Sequence, residues 1–162
     1  MTLDLFRRAC SQFATGVCIV TTFDREPHGF TVNSFTSVSL RPPLVLFCID
    51  HDAAIVEVFR RTHHFAINVL AETQQELSTA FATKPERRFE GVTWTPGLHS
   101  LPILEGALAT LECRLVRVFP AGDHDVLIGE AMRASVPSSG VEPLAFFRGR
   151  YVRLERKSKP TG

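Results

Sequence analysis

The chain has 162 residues, of which 44% are hydrophobic and 22% are charged, and its formal net charge is +1. This length and composition are typical of one globular domain with a sizeable core. The nearly neutral charge does not support a nucleic-acid-binding face or an acidic tail. No apolar run approaches the ~20 residues of a membrane helix, and the N-terminus lacks the apolar stretch of a secretion signal.

The first part of the chain predicts one helix followed by strands. Helical spacing of apolar residues predicts an amphipathic helix over residues 3–14 that ends before Gly16. The β-branched run 17–23 predicts a strand, and "DREPHG" after it has the composition of a turn. Further on, "LVLFCID" (44–50) predicts a core strand.

The segment "HGFTVNSFTSVSL", residues 28–40, carries six hydroxyl or amide side chains in thirteen residues. A solvated strand that alternates polar and apolar residues is one explanation. The other is that these groups face a polar ligand held against the sheet. The residues by themselves leave both open and slightly favour the solvated strand.

The middle of the chain predicts a helix over 52–61 with Asp52 as N-cap, a strand over 64–70 and a helix over 72–82. Residues 84–106 hold several prolines, glycines and charges and are predicted to be irregular, which in a compact domain often indicates function.

Three long β-type runs complete the chain, at 107–119, 125–136 and 144–154. Between the first two lies the hairpin-like "PAGDHD". Strands without regular βα alternation favour a small antiparallel barrel over a doubly wound sheet.

Several catalytic and binding motifs are absent from the sequence. There is no GxGxxG, P-loop or GxSxG motif, and adjacent His63 and His64 would point apart, which makes them a poor metal pair. Asp125 is too close to His124 in sequence to orient its ring in triad fashion. The four cysteines are scattered and three lie in apolar runs, which predicts reduced thiols and a cytoplasmic protein.

Seven segments, in the same order, resemble the short-chain flavin reductases. This is the FMN-binding split-barrel family, which includes the reductase components of two-component flavin-dependent monooxygenases. The resemblance extends from about residue 6 to residue 154. The segments are "FATGVCIVTT", "GFTVNSFTSVSLRPPLVLFCID", "FAINVLAETQQELSTAFA", "RRFEGVTW", "PILEGALATLEC", "GDHDVLIGEA" and "PLAFFRGRY".

The resemblance implies a mainly β fold with a few helices, an antiparallel, Greek-key-like split barrel that forms a homodimer. One domain is expected over residues 1–155, followed by a polar tail over 156–162. The implied activity is that of an NAD(P)H:flavin oxidoreductase, which reduces FMN or FAD with NADH or NADPH and supplies reduced flavin to a partner monooxygenase.

The resemblance also implies a flavin site. An isoalloxazine ring needs an apolar floor, hydrogen-bonding groups at its polar edge, and hydroxyls or cations at its phosphate. The residues expected at the ring edge, at the ribityl chain and phosphate (Ser37, Val38 and Ser39) and at the ring's other edge are Thr31, Val32, Asn33, Ser34, Ser37, Val38, Ser39, Cys48, Ile49 and Asp50, with Phe81 and Phe89 beside them.

For the phosphate, the resemblance favours Arg88, which directly precedes Phe89, over Lys84 or Arg87. For each of the three, a solvated loop position is an equally good explanation. Arg41 stands where many members have an acid, and we expect it to be structural.

By the same resemblance, His124 lies over the flavin and positions the nicotinamide, with Phe147 and Arg148 as weaker candidates on that side. Tyr151 is assigned to core packing. A flavin carrier with little reductase activity, or a flavoenzyme that reduces another small substrate, are the alternatives. The sequence distinguishes neither FMN from FAD nor NADH from NADPH.

Overall fold

The computed structural model describes residues 1–83, 88–137 and 140–154, and these residues are mainly β, as predicted. The strands are β1 Thr15–Gly16, β2 Cys18–Asp24, β3 Glu26–Val32, β4 Thr36–Leu40, β5 Pro43–Asp50, β6 His64–Val69, β7 Trp94–Pro96, β8 Pro102–Leu104, β9 Ala109–Ala121, β10 His124–Ser135, β11 Ala145–Phe147 and β12 Arg150–Val152. The α-helices are α1 Leu3–Cys10, α2 Val56–Arg61 and α3 Gln75–Thr83.

Seven strands form one antiparallel sheet in the order β3-β2-β6-β9-β10-β5-β4. Its two edge strands, β3 and β4, are consecutive in the chain and are joined only by residues 33–35. A flat sheet of seven strands would be about 29 Å wide. Because the connection spans at most ~14 Å, the sheet must curl until its two edges approach each other.

Aromatic side chains fill the inside of the curled sheet. Phe30, Phe47, Phe59 and Phe65 pack edge-to-face, with ring centroids 5.1 Å apart for Phe30–Phe59 and 5.0 Å apart for Phe47–Phe65. Such edge-to-face pairs add to the stabilisation from burial alone. Residues alternate along β5, so that Phe47 is buried while its neighbours are partly exposed on the outer face.

A second core cluster lies between the sheet, α3 and the short strands. Its fully buried members include Ile19, Leu70 and Phe81, and Phe146 and Tyr151 pack against it. The strand β11 pairs with both β1 and β12 in a separate three-stranded sheet. The described residues contain no helix long and apolar enough to cross a membrane.

Two predicted helix boundaries were wrong. The N-terminal helix ends at Cys10, not at Ala14. Helix α2 begins at Val56 with Ile55 in the N-cap position, whereas Asp52 lies in a turn and its N–H binds the Asp50 carboxylate at 2.8 Å.

Several predicted loops and strands also differ from the structure. Arg25, with φ of 64°, makes the turn alone, and β3 begins at Glu26 within the predicted turn. The last run is a hairpin, since Arg148 and Gly149 both have positive φ. Within 84–106, β7 and β8 pair with each other. The hairpin at "PAGDHD" is confirmed, with Ala121 paired to His124.

Candidate active site

The bend between β3 and β4 is fastened to β5. Ser34 Oγ accepts a hydrogen bond from the Cys48 backbone N–H at 2.9 Å. The Ser34 hydroxyl therefore accepts from a backbone N–H of β5 at a position that β4 does not pair with. Asn33, next to it, is exposed. The polar residues of the bend thus divide into one that holds the backbone and one that faces outward.

Asp50 and His124 lie directly opposite each other on β5 and β10. Two residues further along each strand, Cys48 lies opposite Val126. Directly opposed residues share one face of a sheet, with Cβ atoms about 4.5–5.5 Å apart. Two residues predicted at the flavin and the residue predicted at the nicotinamide therefore share the outer face. Ile49 is 1% exposed and faces the core, so only its backbone can line this face.

The His124 ring is oriented by Asp123. The distance from His124 Nδ1 to Asp123 Oδ1 is 2.7 Å. This hydrogen bond is the main reason why the pKa of Asp123 is lowered. An ionised carboxylate only accepts, so Nδ1 is the donor and Nε2 is left for a ligand. The His124 side chain is 42% exposed, which leaves it accessible.

Arg88 is a half-buried cation with an unused donor. Its Nη1 donates to the Gly29 carbonyl at 2.8 Å, while its Nε is buried without a hydrogen-bond partner. Burial lowers the pKa of the guanidinium, and among the described residues no carboxylate pairs with it. An orphaned guanidinium N–H of this kind fits a phosphate oxygen. Lys84 and Arg87 lie outside the described residues.

Arg88 contacts β3, two residues before Thr31, whereas Ser37, Val38 and Ser39 belong to β4 beyond the bend. Val38 is bulged out between the paired residues on either side, and Ser39 Oγ accepts from the Arg41 N–H at 3.2 Å. The Arg41 backbone is thus held locally. The structure does not join the three β4 residues to the cation by any described contact.

A cavity of about 190 Å³ opens beside β3. Its lining residues are Val17, Thr31, Val32, Asn33, Ala82, Phe146 and Tyr151. The Thr31 hydroxyl donates to the Ser78 carbonyl at 2.6 Å, and the Ser78 and Tyr151 hydroxyls are 2.8 Å apart. Sequence reasoning missed Phe146 and Tyr151 as lining residues. Neighbouring residues of a strand face opposite ways, so the sequence did predict that Phe146 and Phe147 point to different sides of β11.

Phe147 and Arg148 belong to another part of the surface. The Arg148 guanidinium lies 4.9 Å from the centroid of the Phe147 ring and donates twice to Gln12 Oε1, at 2.9 and 2.7 Å. These contacts tie the β11–β12 turn to the segment after α1. No described contact joins them to His124.

Phe81 and Phe89 form an aromatic pair with ring centroids 5.0 Å apart. Phe81 is fully buried, and a Cβ added at Gly29 would lie 2.9 Å from its ring. Phe81 therefore supports β3 and Phe89 from behind and has no exposed surface for a ligand in this structure.

The family model described as a flavin reductase like domain matches residues 10–155. The chain belongs to the flavin reductase like family. Two curated relatives of this flavin reductase-like chain are reductases. The reductase subunit HsaB of a flavin-dependent monooxygenase from Mycobacterium tuberculosis is 39% identical over 152 residues, covering 93% of this chain and 81% of the relative. The FMN reductase (NADH) SmoA from Agrobacterium fabrum is 40% identical over 153 residues, covering 94% and 86%.

A solved structure resembles the flavin reductase-like chain over nearly its full length. The Streptomyces globisporus NADH:FAD oxidoreductase SgcE6, in complex with NAD and FAD fragments, has a TM-score of 0.90 at 38% identity and covers 96% of this chain and 94% of that one. Some other matched proteins are longer, and the chain spans 50% and 53% of two of them.

Proposed function

We propose that this protein is an NAD(P)H:flavin oxidoreductase that reduces FMN or FAD and supplies the reduced flavin to a partner monooxygenase. Membership of the family and the reductase functions of its relatives support this proposal. The observation that carries it is the opposition of Asp50 and His124 on one accessible sheet face. When bound, flavin supplies the acceptor for the hydride.

On the flavin side, Asn33 and Asp50 offer hydrogen-bonding groups on either side of the bend that Ser34 fastens to Cys48. Backbone groups around Ile49 would add to this edge. Arg88 would neutralise the phosphate, because its buried Nε has a donor without a partner. Since Arg88 contacts β3, we assign the phosphate to the Thr31 side of the bend and the β4 residues Ser37, Val38 and Ser39 to the remainder of the flavin.

On the nicotinamide side, His124 is a positioning residue. Asp123 holds Nδ1, so Nε2 can bind the carboxamide of the nicotinamide. Hydride transfer depends mainly on stacked rings about 3–3.5 Å apart, and a fixed His124 serves this by limiting where the nicotinamide lies. Phe147 and Arg148 stay weaker candidates, since their described contacts are with Gln12 and with each other.

The proposal is tested by measuring oxidation of NADH and NADPH with FMN and with FAD in turn. We expect at least one pair to react far faster with the protein than with free flavin alone. Rates equal to those of free flavin would refute the proposal. Steady-state kinetics with varied flavin would show saturation if flavin is a substrate, and no dependence if it is a fixed prosthetic group.

Replacement of His124 distinguishes a reductase from a flavin carrier. His124→Ala should reduce kcat/KM for NADH by about ten- to hundred-fold, because positioning is lost. The flavin Kd, measured by fluorescence quenching, should stay within about two-fold, the range of a peripheral contact. An unchanged kcat/KM would favour the carrier.

We infer that the curled sheet is a split barrel and that two copies form a homodimer. Helix α1 has eight residues and none of them is buried, although Leu3, Leu5 and Phe6 are apolar. An isolated helix this short is marginal in water, so it needs an apolar partner. Leu40, at 89% exposure, and Phe13 are further exposed apolar side chains. A second copy of the chain is the partner that the family resemblance favours.

We also propose a cytoplasmic location. All four cysteines are free, and burial raises the pKa of Cys18 and of Cys113 to about 12. Such thiols are inert and suit a reducing compartment, where NADH and NADPH are also available.

A further inference from the structure

A buried carboxylate lies directly behind the candidate nicotinamide residue. Asp125 follows His124 on β10 and faces the other side of the sheet, because consecutive strand residues point opposite ways. Its side chain is only 4% exposed. The functions proposed above do not use it.

Both oxygens of Asp125 are bonded to residues from other parts of the fold. Arg60, near the end of α2, donates from Nε to Oδ2 at 2.6 Å. His51, directly after β5, has its Nε2 at 2.9 Å from Oδ1. These bonds lower the pKa of Asp125, with the Arg60 bond contributing most. The ionised carboxylate only accepts, so His51 Nε2 is the donor.

His51 contacts both neighbours of His124. Its ring binds Asp125, and its backbone N–H donates to the Asp123 carbonyl at 3.0 Å. Asp50, the residue before His51, lies opposite His124 across the strand pair. The end of β5 and the start of β10 are thus held together by one side chain and one backbone bond, in addition to the strand ladder.

Arg60 connects this arrangement to a packed helix. It also binds Glu57 one turn earlier on α2, through Nη1 at 2.6 Å. Val56 and Phe59 of the same helix are buried in the aromatic core. The Asp125 carboxylate therefore joins the start of β10 and the end of β5 to a helix that packs into the aromatic core.

We propose that Asp125, held by Arg60 and His51, is a positioning residue that fixes His124 for the docking of a nicotinamide nucleotide. This inference rests on the proposed reductase function. Misplacement of a reacting group by about 1 Å can reduce a rate about 100-fold. Asp125 directly follows His124, and its carboxylate binds His51, whose backbone N–H binds Asp123 on the other side of His124, so the carboxylate can limit such a displacement.

A purely structural role would have different consequences. A variant that only destabilises the fold lowers the fraction of active protein, so its apparent kcat falls while KM for NADH and the isotope effect do not change. A variant that mispositions the nicotinamide raises KM for NADH. It also slows hydride transfer, which makes that step more rate-limiting and raises the primary isotope effect.

The test is Asp125→Asn, assayed with NADH and with NADH deuterated at C4 at saturating FMN. We expect kcat/KM for NADH to fall about ten- to hundred-fold and the isotope effect to rise, while the FMN Kd changes less than about two-fold. Asp24→Asn is the matched control. Asp24 pairs with Arg61, the residue after Arg60, at an exposed site away from β10, and its loss should leave all three quantities unchanged.

If Asp125→Asn retains the wild-type KM and isotope effect, the positioning role is refuted. Should this variant fail to fold, His51→Ala removes one of the two partners and is expected to raise the isotope effect as well. His51→Gln retains an N–H donor and should restore part of the loss. A wild-type protein that does not accelerate NADH oxidation refutes the reductase function. An active wild type with unaffected variants refutes this inference alone.

Discussion

Hydroxyl and amide side chains in the segment 28–40 fall into two groups, one that binds the protein backbone and one that is exposed. Those of Thr31, Ser34 and Ser39 bind backbone groups of α3, β5 and the turn after β4. Asn33 and Ser37 are exposed and remain available to a ligand. The composition alone predicts that these side chains form hydrogen bonds. Only the structure shows which of them bind the protein backbone and which are free to bind a ligand.

Arg88 offers a prediction at the same scale. Arg88→Ala should weaken FMN binding about ten- to hundred-fold, because a charge-assisted hydrogen bond to phosphate contributes about 1.5–3 kcal/mol. Riboflavin, which lacks the phosphate, should bind wild type and variant alike. The measurement is fluorescence titration with both flavins. Equal losses for both would contradict a phosphate contact and favour a role in supporting β3.

At the scale of the element, β10 depends on a glycine over the aromatic core. A Cβ at Gly129 would lie 2.6 Å from Phe65 Cε1 and 3.1 Å from the Cys113 Cβ. Phe65 is fully buried and is packed against Phe47, so it cannot move aside without disturbing the cluster. This strand therefore needs a residue without a side chain at that point.

Gly129→Ala should destabilise the protein by about 1–3 kcal/mol, the usual cost of overpacking, and lower the Tm accordingly. Thermal unfolding followed by circular dichroism is the measurement. Gly16→Ala is the control, because no atom lies within 4 Å of an added Cβ and the backbone there is ordinary. Similar Tm values for both variants would show that β10 shifts freely over Phe65.

The stabilisation that the Asp125 carboxylate contributes by binding Arg60 and His51 should depend on pH. The pKa of Asp125 is lowered in the folded state, mainly by Arg60, from about 3.9 in an unfolded chain. Its ionised form thus stabilises the fold above pH ~4, and this contribution is lost as the pH falls through the lowered folded pKa.

We therefore expect a Tm difference between wild type and Asp125→Asn of about 2–8 °C at neutral pH, which shrinks below pH ~4. The two proteins are compared by calorimetry between pH 3 and 7. Comparing their difference cancels the titration of the other carboxylates. A difference that stays constant to pH 3 would contradict the linkage.

For the whole molecule, the exposed apolar residues decide the expected assembly. No residue of helix α1 is buried, and Leu40 and Phe13 are further exposed apolar side chains. Exposed apolar surface of this kind marks an interaction site more often than an ordinary solvent face. The proposed homodimer would give this short helix the apolar partner that it lacks within one chain.

Sedimentation at micromolar concentration should show a dimer for the wild type. Phe13→Glu and Leu40→Glu should shift it towards monomer by at least about ten-fold in Kd, because each places a charge in an apolar contact. Gln75→Glu adds the same charge to an exposed position of α3 and should leave the dimer intact. A monomeric wild type would refute the proposed assembly.

The sequence by itself determined the β class, the core strands and the hairpin before His124. Strand periodicity and turn composition are local properties, and they can be read within about ten residues. The same local rules failed at Arg25, where a single non-glycine residue with positive φ reverses the chain, and at Arg148–Gly149, where both residues have positive φ. An arginine gives no composition signal for such a turn, because positive φ is uncommon in residues other than glycine.

Only the tertiary structure decided which residues meet. Asp125 and His51 are 74 positions apart, and Arg88 and Gly29 are 59 apart. Strand order and register bring such residues together, and these depend on how the whole sheet curls around its aromatic core. A pattern in one sequence records which face a residue occupies, whereas its partner across the sheet is fixed by packing between distant elements.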